Sequence, residues 1–123
     1  ELLLSRGAAV DHASARGITA LHLAAQKGHR ELAELLLARG AAVDQADEGG
    51  CTALHCAAEL GYREVADLLL SRGADLTLRI RNGMTVLEIA RSSETGSEVA
   101  ALIEERARAA EERRMEEERA ERA

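Results

Sequence analysis

Apolar and polar positions follow one another in blocks that return. From Gly17 to Asp44 the chain reads GITALHLAAQKGHRELAELLLARGAAVD; thirty-three residues on, from Gly50 to Thr77, it reads GCTALHCAAELGYREVADLLLSRGADLT, and 17 of the 28 paired positions are identical. Identity at that level makes the period a property of the fold, because a recurrence of 20–50 residues is the mark of stacked supersecondary units. Gly7, Gly40 and Gly73 lie on the period, as do Gly17, Gly50 and Gly83, Thr19, Thr52 and Thr85, and the triplets Leu2–Leu4, Leu35–Leu37 and Leu68–Leu70.

Within one unit the pattern predicts two short helices. Thr19 is a good N-cap, and a helix from Ala20 to about Lys27 follows it. Gly28 breaks that helix. A second runs from about Arg30 to Ala38, with Leu32, Leu35 and Leu36 at helical spacing, and Gly40 ends it. The stretch from Ala41 to Gly49 is too short for a third helix and reads as an extended turn. Neither helix buries its apolar face alone; stacking against the neighbouring unit does that.

A helix–turn–helix with a joining loop at this period, carrying TALHLAA, a following Gly and ELLLARGA, resembles the ankyrin repeat family. The resemblance covers residues 1 to about 104 and implies an all-α, ankyrin-type solenoid with short connecting loops. It divides the chain into the second half of a truncated repeat (1–16), two full repeats (17–49 and 50–82), a degenerate C-terminal capping repeat (83–104) and a charged helical extension (105–123). The half repeat leaves Leu2, Leu3 and Leu4 short of cover, and suggests a fragment of a longer repeat protein. Ala20, Ala53 and Val86 stand where the family usually has Pro at the first helical position, a favourable but dispensable residue. In the last unit Glu88 replaces the usual His and forms a Thr-x-x-Glu capping box with Thr85, and the inter-helix loop RSSETGS is one residue longer and more polar. A capping unit needs such changes because one of its faces meets water.

From 97 to 123 the chain has no Gly or Pro, so the last helix is expected to run on well past Glu104. Glu104–Arg108 and Glu118–Arg122 are spaced i,i+4, and Glu105–Arg108 and Glu111–Arg114 i,i+3. A coiled coil that makes oligomers and a solvated single helix are the two readings. Ala107, Ala109, Ala110, Met115 and Ala120 do not sustain a heptad, which favours the solvated helix and a monomer.

Composition narrows the function. The 123 residues include 25 Ala and 18 Leu but no Phe, Trp or Pro, and Tyr62 is the single aromatic; such an interior suits closely spaced helices. A net charge of −6 and the absence of stacking aromatics disfavour nucleic-acid binding. No apolar run approaches the ~20 residues that span a bilayer. Cys51 and Cys56 make no disulfide framework and point to a reducing, intracellular setting, the cytoplasm or the nucleus.

Catalytic constellations are missing. His22 and His55 lie on the period, in a slot that the resemblance assigns to hydrogen bonds bracing neighbouring turns; His29 aligns with Tyr62 as a packing position, and His12 lies in a loop without a partner pattern. Cys51, His55 and Cys56 lack a fourth group for structural zinc, and Cys56 aligns with Leu23 and Ile89 as a small apolar residue. No phosphate loop occurs. The expectation is therefore no enzyme, no cofactor and no metal.

Copies that pack on one another must agree where they touch and are free to differ where they meet something else. The residues that differ most around the turn tips and first-helix ends are Arg16, Ile18, Gln26 and Lys27, then Glu48, Cys51, Glu59 and Leu60, then Arg79, Arg81 and Met84. The resemblance places these on the concave face that holds partner proteins. Ile18, Cys51 and Met84 share one slot, which is either an exposed apolar stripe with a charged rim or a position partly buried in the stack. The function expected is non-catalytic recognition of another protein, as scaffold or targeting module. The alternatives are a regulatory segment of a larger enzyme, and a structural spacer whose C-terminal helix assembles oligomers.

Overall fold

The computed structural model describes residues 13–122. Six helices lie among the described residues: α1 (Ala20–Lys27), α2 (Arg30–Ala38), α3 (Ala53–Leu60), α4 (Arg63–Ser71), α5 (Val86–Ser92) and α6 (Ser97–Arg122). The half unit expected over 1–16, with Leu2–Leu4 and His12, lies almost entirely outside the described residues.

Each first helix starts in the same way. Thr19, Thr52 and Thr85 are extended N-caps whose side chains accept the backbone N–H three residues on, and the side chain at that position returns to the N-cap N–H. Two orphan donors are thus satisfied at each helix start. Gly28 and Gly61 end α1 and α3 in the left-handed region, at φ 68° and 76°, where any other residue is strained. Gly28 also leaves room for Tyr62, whose ring would lie 2.9 Å from an added Cβ, so this one aromatic covers the joint between units.

The pairs stack in two rows. First helices touch in the order α1–α3–α5 and second helices in the order α2–α4–α6, while each pair also packs internally. The core lies between the rows, with Leu54, Val65, Leu69, Val86 and Val99 essentially inaccessible and Ala24, Ala25, Ala57, Ala58 and Ala90 equally buried among them. Small residues there let helix backbones come together at high packing density. The expected Leu32–Leu35–Leu36 face of α2 is corrected in one respect: Ala33 and Leu36 are buried, and Leu32 is 36% exposed. Its period mate Val65 is 1% exposed. Among the described helices α4 touches both α2 and α6, and α2 touches α4 in its row.

The repeated histidines tie unit to unit. His22 Nδ1 accepts from Thr19 N–H at 3.0 Å and Nε2 donates to the Cys51 carbonyl of the next turn at 2.7 Å. His55 does the same between Thr52 N–H (3.1 Å) and the Leu78 carbonyl (3.1 Å). Both rings are 1% exposed. Arg30 donates to the Glu64 carbonyl and Arg63 to the Glu98 carbonyl, spans of 34 and 35 residues. The second span is longer by the one residue inserted in the α5–α6 loop.

Glu88 closes its capping box with Thr85 and pairs with Arg79 at 3.7 Å, on the surface. A His in this slot serves by reaching a carbonyl of the following turn. Among the described residues Glu88 makes the capping half of that contact and no bond to a later turn. The polar loop does more than face water: Ser93 and Thr95 hydroxyls donate to the Glu59 carbonyl at the end of α3, and a Cβ at Gly61 would run into the Thr95 carbonyl.

Helix α6 is 26 residues long, about 39 Å at ~1.5 Å per residue. Its first turns pack through Val99, Ala100, Leu102 and Ile103. Of the four ion pairs expected along it, Glu111–Arg114 forms, and Arg114 also binds Glu118 at 2.9 Å. Glu104 and Glu105 turn instead to Arg91 and Arg63 on other helices, and Arg106 pairs with Asp67 of α4. From Ala107 to Arg122 every residue is exposed.

Three outcomes follow from this packing. Leu69→Ala should lower unfolding free energy by ~2–5 kcal/mol in urea titration, the range for a buried Leu truncation. His55 is held below its ordinary pKa, chiefly by burial, with the Leu78 carbonyl and Asp47 opposing. The unfolded chain therefore takes up a proton that the folded chain resists, so stability is full above the unfolded value of about 6.5 and falls as pH drops through it. His55→Gln should flatten that fall in urea midpoints recorded between about pH 8 and pH 5. Deleting residues 109–123 should reduce helical circular dichroism and leave the melting of the stack unchanged and independent of protein concentration.

Candidate functional site

The turn tips are built alike. Ser14, Asp47 and Ile80 share one slot, and their N–H groups donate to the carbonyls of Ile18, Cys51 and Met84 at 2.9–3.0 Å, closing each turn as a small hairpin. Asp47 Oδ1 accepts from Gly49 and Cys51 N–H, both at 2.9 Å; Ser14 Oγ does this weakly in the preceding turn. In the third turn Ile80 carries no acceptor, and Asn82 Oδ1 takes the Met84 N–H at 3.0 Å. Backbone bonds then join tip to tip, Glu48 N–H to the Arg16 carbonyl at 2.9 Å and Arg81 N–H to the Gly49 carbonyl at 2.7 Å. The tips form one continuous, internally satisfied edge beside the row of first helices.

Of the residues singled out from the sequence, Arg16, Gln26, Lys27, Glu48, Glu59, Leu60, Arg79 and Arg81 are exposed. Ile18, Cys51 and Met84 are half-buried. Their shared slot precedes each capping Thr and pairs with the fourth helical residue, giving Ile18 with Leu23, Cys51 with Cys56, and Met84 with Ile89. That is the spacing of a hydrophobic staple, which fixes the angle at which chain enters helix. The slot is thus partly structural, and a free apolar stripe is too strong a description of it.

Charges at the tips are partly spent on the tips themselves. Arg81 donates to the Glu48 carbonyl at 3.0 Å, and Arg79 to the Gly83 carbonyl and towards Glu88. The Gln26 amide favours the thiolate form of Cys56. Cys51 and Cys56 place their sulfurs 3.5 Å apart, and both are free thiols. Their hydrogen bond lowers Cys56, against burial, and raises Cys51, with burial adding to the rise.

Two features of this face escape a reading by residue differences. Leu23 is 48% exposed on α1, although its period mates Cys56 and Ile89 are 6% and 9% exposed. A cavity of about 300 Å³ opens between the end of α3, the third tip and α5, lined by Glu59, Ile80, Asn82, Met84, Ile89, Ser92 and Ser93. It brings Glu59 and Met84 together and leaves Arg16, Ile18, Gln26 and Lys27 elsewhere on the face. Ile80 was detectable as an apolar residue in a slot where Ser14 and Asp47 are polar. Leu23 carries no such signal, because all three residues in its slot are apolar and nothing in their types marks which one is exposed.

Among the described residues no cluster of three or more His, Cys, Asp or Glu side chains has the arrangement of a metal site, and no helix is long and apolar enough to cross a membrane. No curated protein matches the chain. The family model described as ankyrin repeats, three copies, matches residues 1–80. Repeats of this kind are generally protein–protein interaction modules and typically non-catalytic. With that match spanning more than half its length, and with paired helices stacked through Thr-x-x-His bridges, the chain belongs to the ankyrin repeat family.

Proposed function

We propose that this array recognises a partner protein, without catalysis, on the concave face formed by the turn tips and first helices. The observation that carries the reading is where apolar surface stays open. Leu60 is 43% exposed at the end of α3, next to Glu59 of the cavity lined by Ile80, Met84 and Ile89. The exposed Lys27, Glu48 and Glu59 on the same tips and first helices would give an apolar centre a charged rim, the usual build of a protein interface. Tip-to-tip hydrogen bonds hold this surface in shape before any partner arrives, which limits the entropy lost on binding. In this reading the repeats 17–49 and 50–82 and the capping unit 83–104 each contribute one tip, the extension 105–123 stays outside the interface, and the array acts as a monomer inside the cell.

A photo-crosslinking amino acid placed singly at Lys27, Glu59 or Arg81 tests the face, in extract from the source cells. Adducts to one common protein are expected from these positions and none from Glu31 or Glu64 on the second helices. Leu60→Ser should abolish the adducts while leaving the array folded, as circular dichroism and the urea midpoint would show, since the side chain is 43% exposed at the end of α3. Adducts confined to the second helices would place the partner on the opposite face.

A further inference from the structure

The staple of the middle unit is chemically unlike its neighbours. Packing at this joint asks only for two apolar groups, as Ile18 with Leu23 and Met84 with Ile89 supply. The middle unit instead uses Cys51 and Cys56, half-buried and buried, with sulfurs 3.5 Å apart. At that distance the thiols touch, and a disulfide of about 2.05 Å requires them to close by about 1.5 Å. Only four residues separate them in sequence, so the bond would close a local ring within one unit and leave the stacking of units intact. Cys51 also presents its carbonyl to His22 Nε2 at 2.7 Å, so the ring would lie at the bridge between two repeats.

We propose that Cys51 and Cys56 are a modification site, a reversible dithiol–disulfide couple that peroxide-class oxidants close and small thiols reopen. This goes beyond partner recognition and does not depend on it. One proton of the pair is labile and the other is retained: the S–H···S hydrogen bond and the Gln26 amide favour a thiolate at Cys56, while burial, Asp47 and Glu59 oppose it. The ionised sulfur attacks one oxygen of hydrogen peroxide. The O–O bond breaks, hydroxide leaves and a sulfenic acid forms. The second sulfur then attacks the sulfenic sulfur, the S–O bond breaks, and the departing hydroxide takes up the remaining thiol proton. The net change is dithiol plus peroxide to disulfide plus two waters. Two equivalents of a small thiol reverse it by exchange.

The test uses the full chain, reduced, with equimolar hydrogen peroxide and intact-mass spectrometry. The expected product is a monomer lighter by two hydrogens, restored by dithiothreitol, with Cys51 and Cys56 joined in the peptide map. Cys51→Ser, at a half-buried position, should lose its remaining thiol at least about tenfold more slowly, because no neighbouring sulfur assists. Cys56→Ser should behave likewise, and if it fails to fold the Cys51→Ser comparison decides alone. Oxygen adducts or disulfide-linked dimers as the main wild-type product would overturn the proposal. So would thiol loss in the wild type no faster than in Cys51→Ser.

Discussion

Everything in this stack depends on a buried imidazole that belongs to two units at once. The ring at position 22 or 55 accepts a hydrogen bond from the N-cap of its own helix and donates one to the carbonyl of the next turn. It therefore sets the start of a helix and the position of the following unit by the same side chain. The arrangement requires a neutral ring with its proton on Nε2, since a second proton on Nδ1 would face the Thr N–H that Nδ1 accepts. With so little aromatic or large apolar volume in the interior, such bridges supply directional specificity that Ala and Leu packing lacks.

The turn tips are constrained from two sides, by the hairpin within each tip and by backbone bonds between tips. Little of their polar backbone is left to reorganise, so side chains alone vary the face. That separation explains why the copies agree at Thr, His and the Leu triplet and diverge at Gln26 and Glu59, or at Lys27 and Leu60. It also explains why the middle staple tolerates sulfur. The joint needs volume and low polarity, and two thiols meet both needs while keeping a chemistry of their own.

In the unit from 83 to 104 the box position holds an acid: Glu88 keeps the cap and sits in water. The longer loop then bends back, through Ser93 and Thr95, onto the exposed end of α3. Helix α6 begins as the second member of a pair and continues as a solvated rod. Its early acidic residues are drawn to arginines of α4 and α5, whereas only Glu111, Arg114 and Glu118 keep company within the helix. Local spacing lost to tertiary proximity wherever a neighbour was within reach.

The sequence by itself determined the repeat, the bounds of α1 and α2, the Thr caps, the glycine breaks and the run of α6, because each follows from local chemistry or from the 33-residue period. The bridging role of His22 and His55 was legible through the family resemblance. Exposure was not legible. Leu32 and Val65 share a slot, as do Leu23, Cys56 and Ile89, yet one member of each set is open to solvent. A periodic sequence assigns equal environments to period mates, and their different exposures are a property of the assembled stack. The candidate site divides along the same line. Its charged members were found as differences between copies, while the cavity beside Glu59 and the 3.5 Å contact of Cys51 with Cys56 arise from juxtaposition, which no single unit encodes.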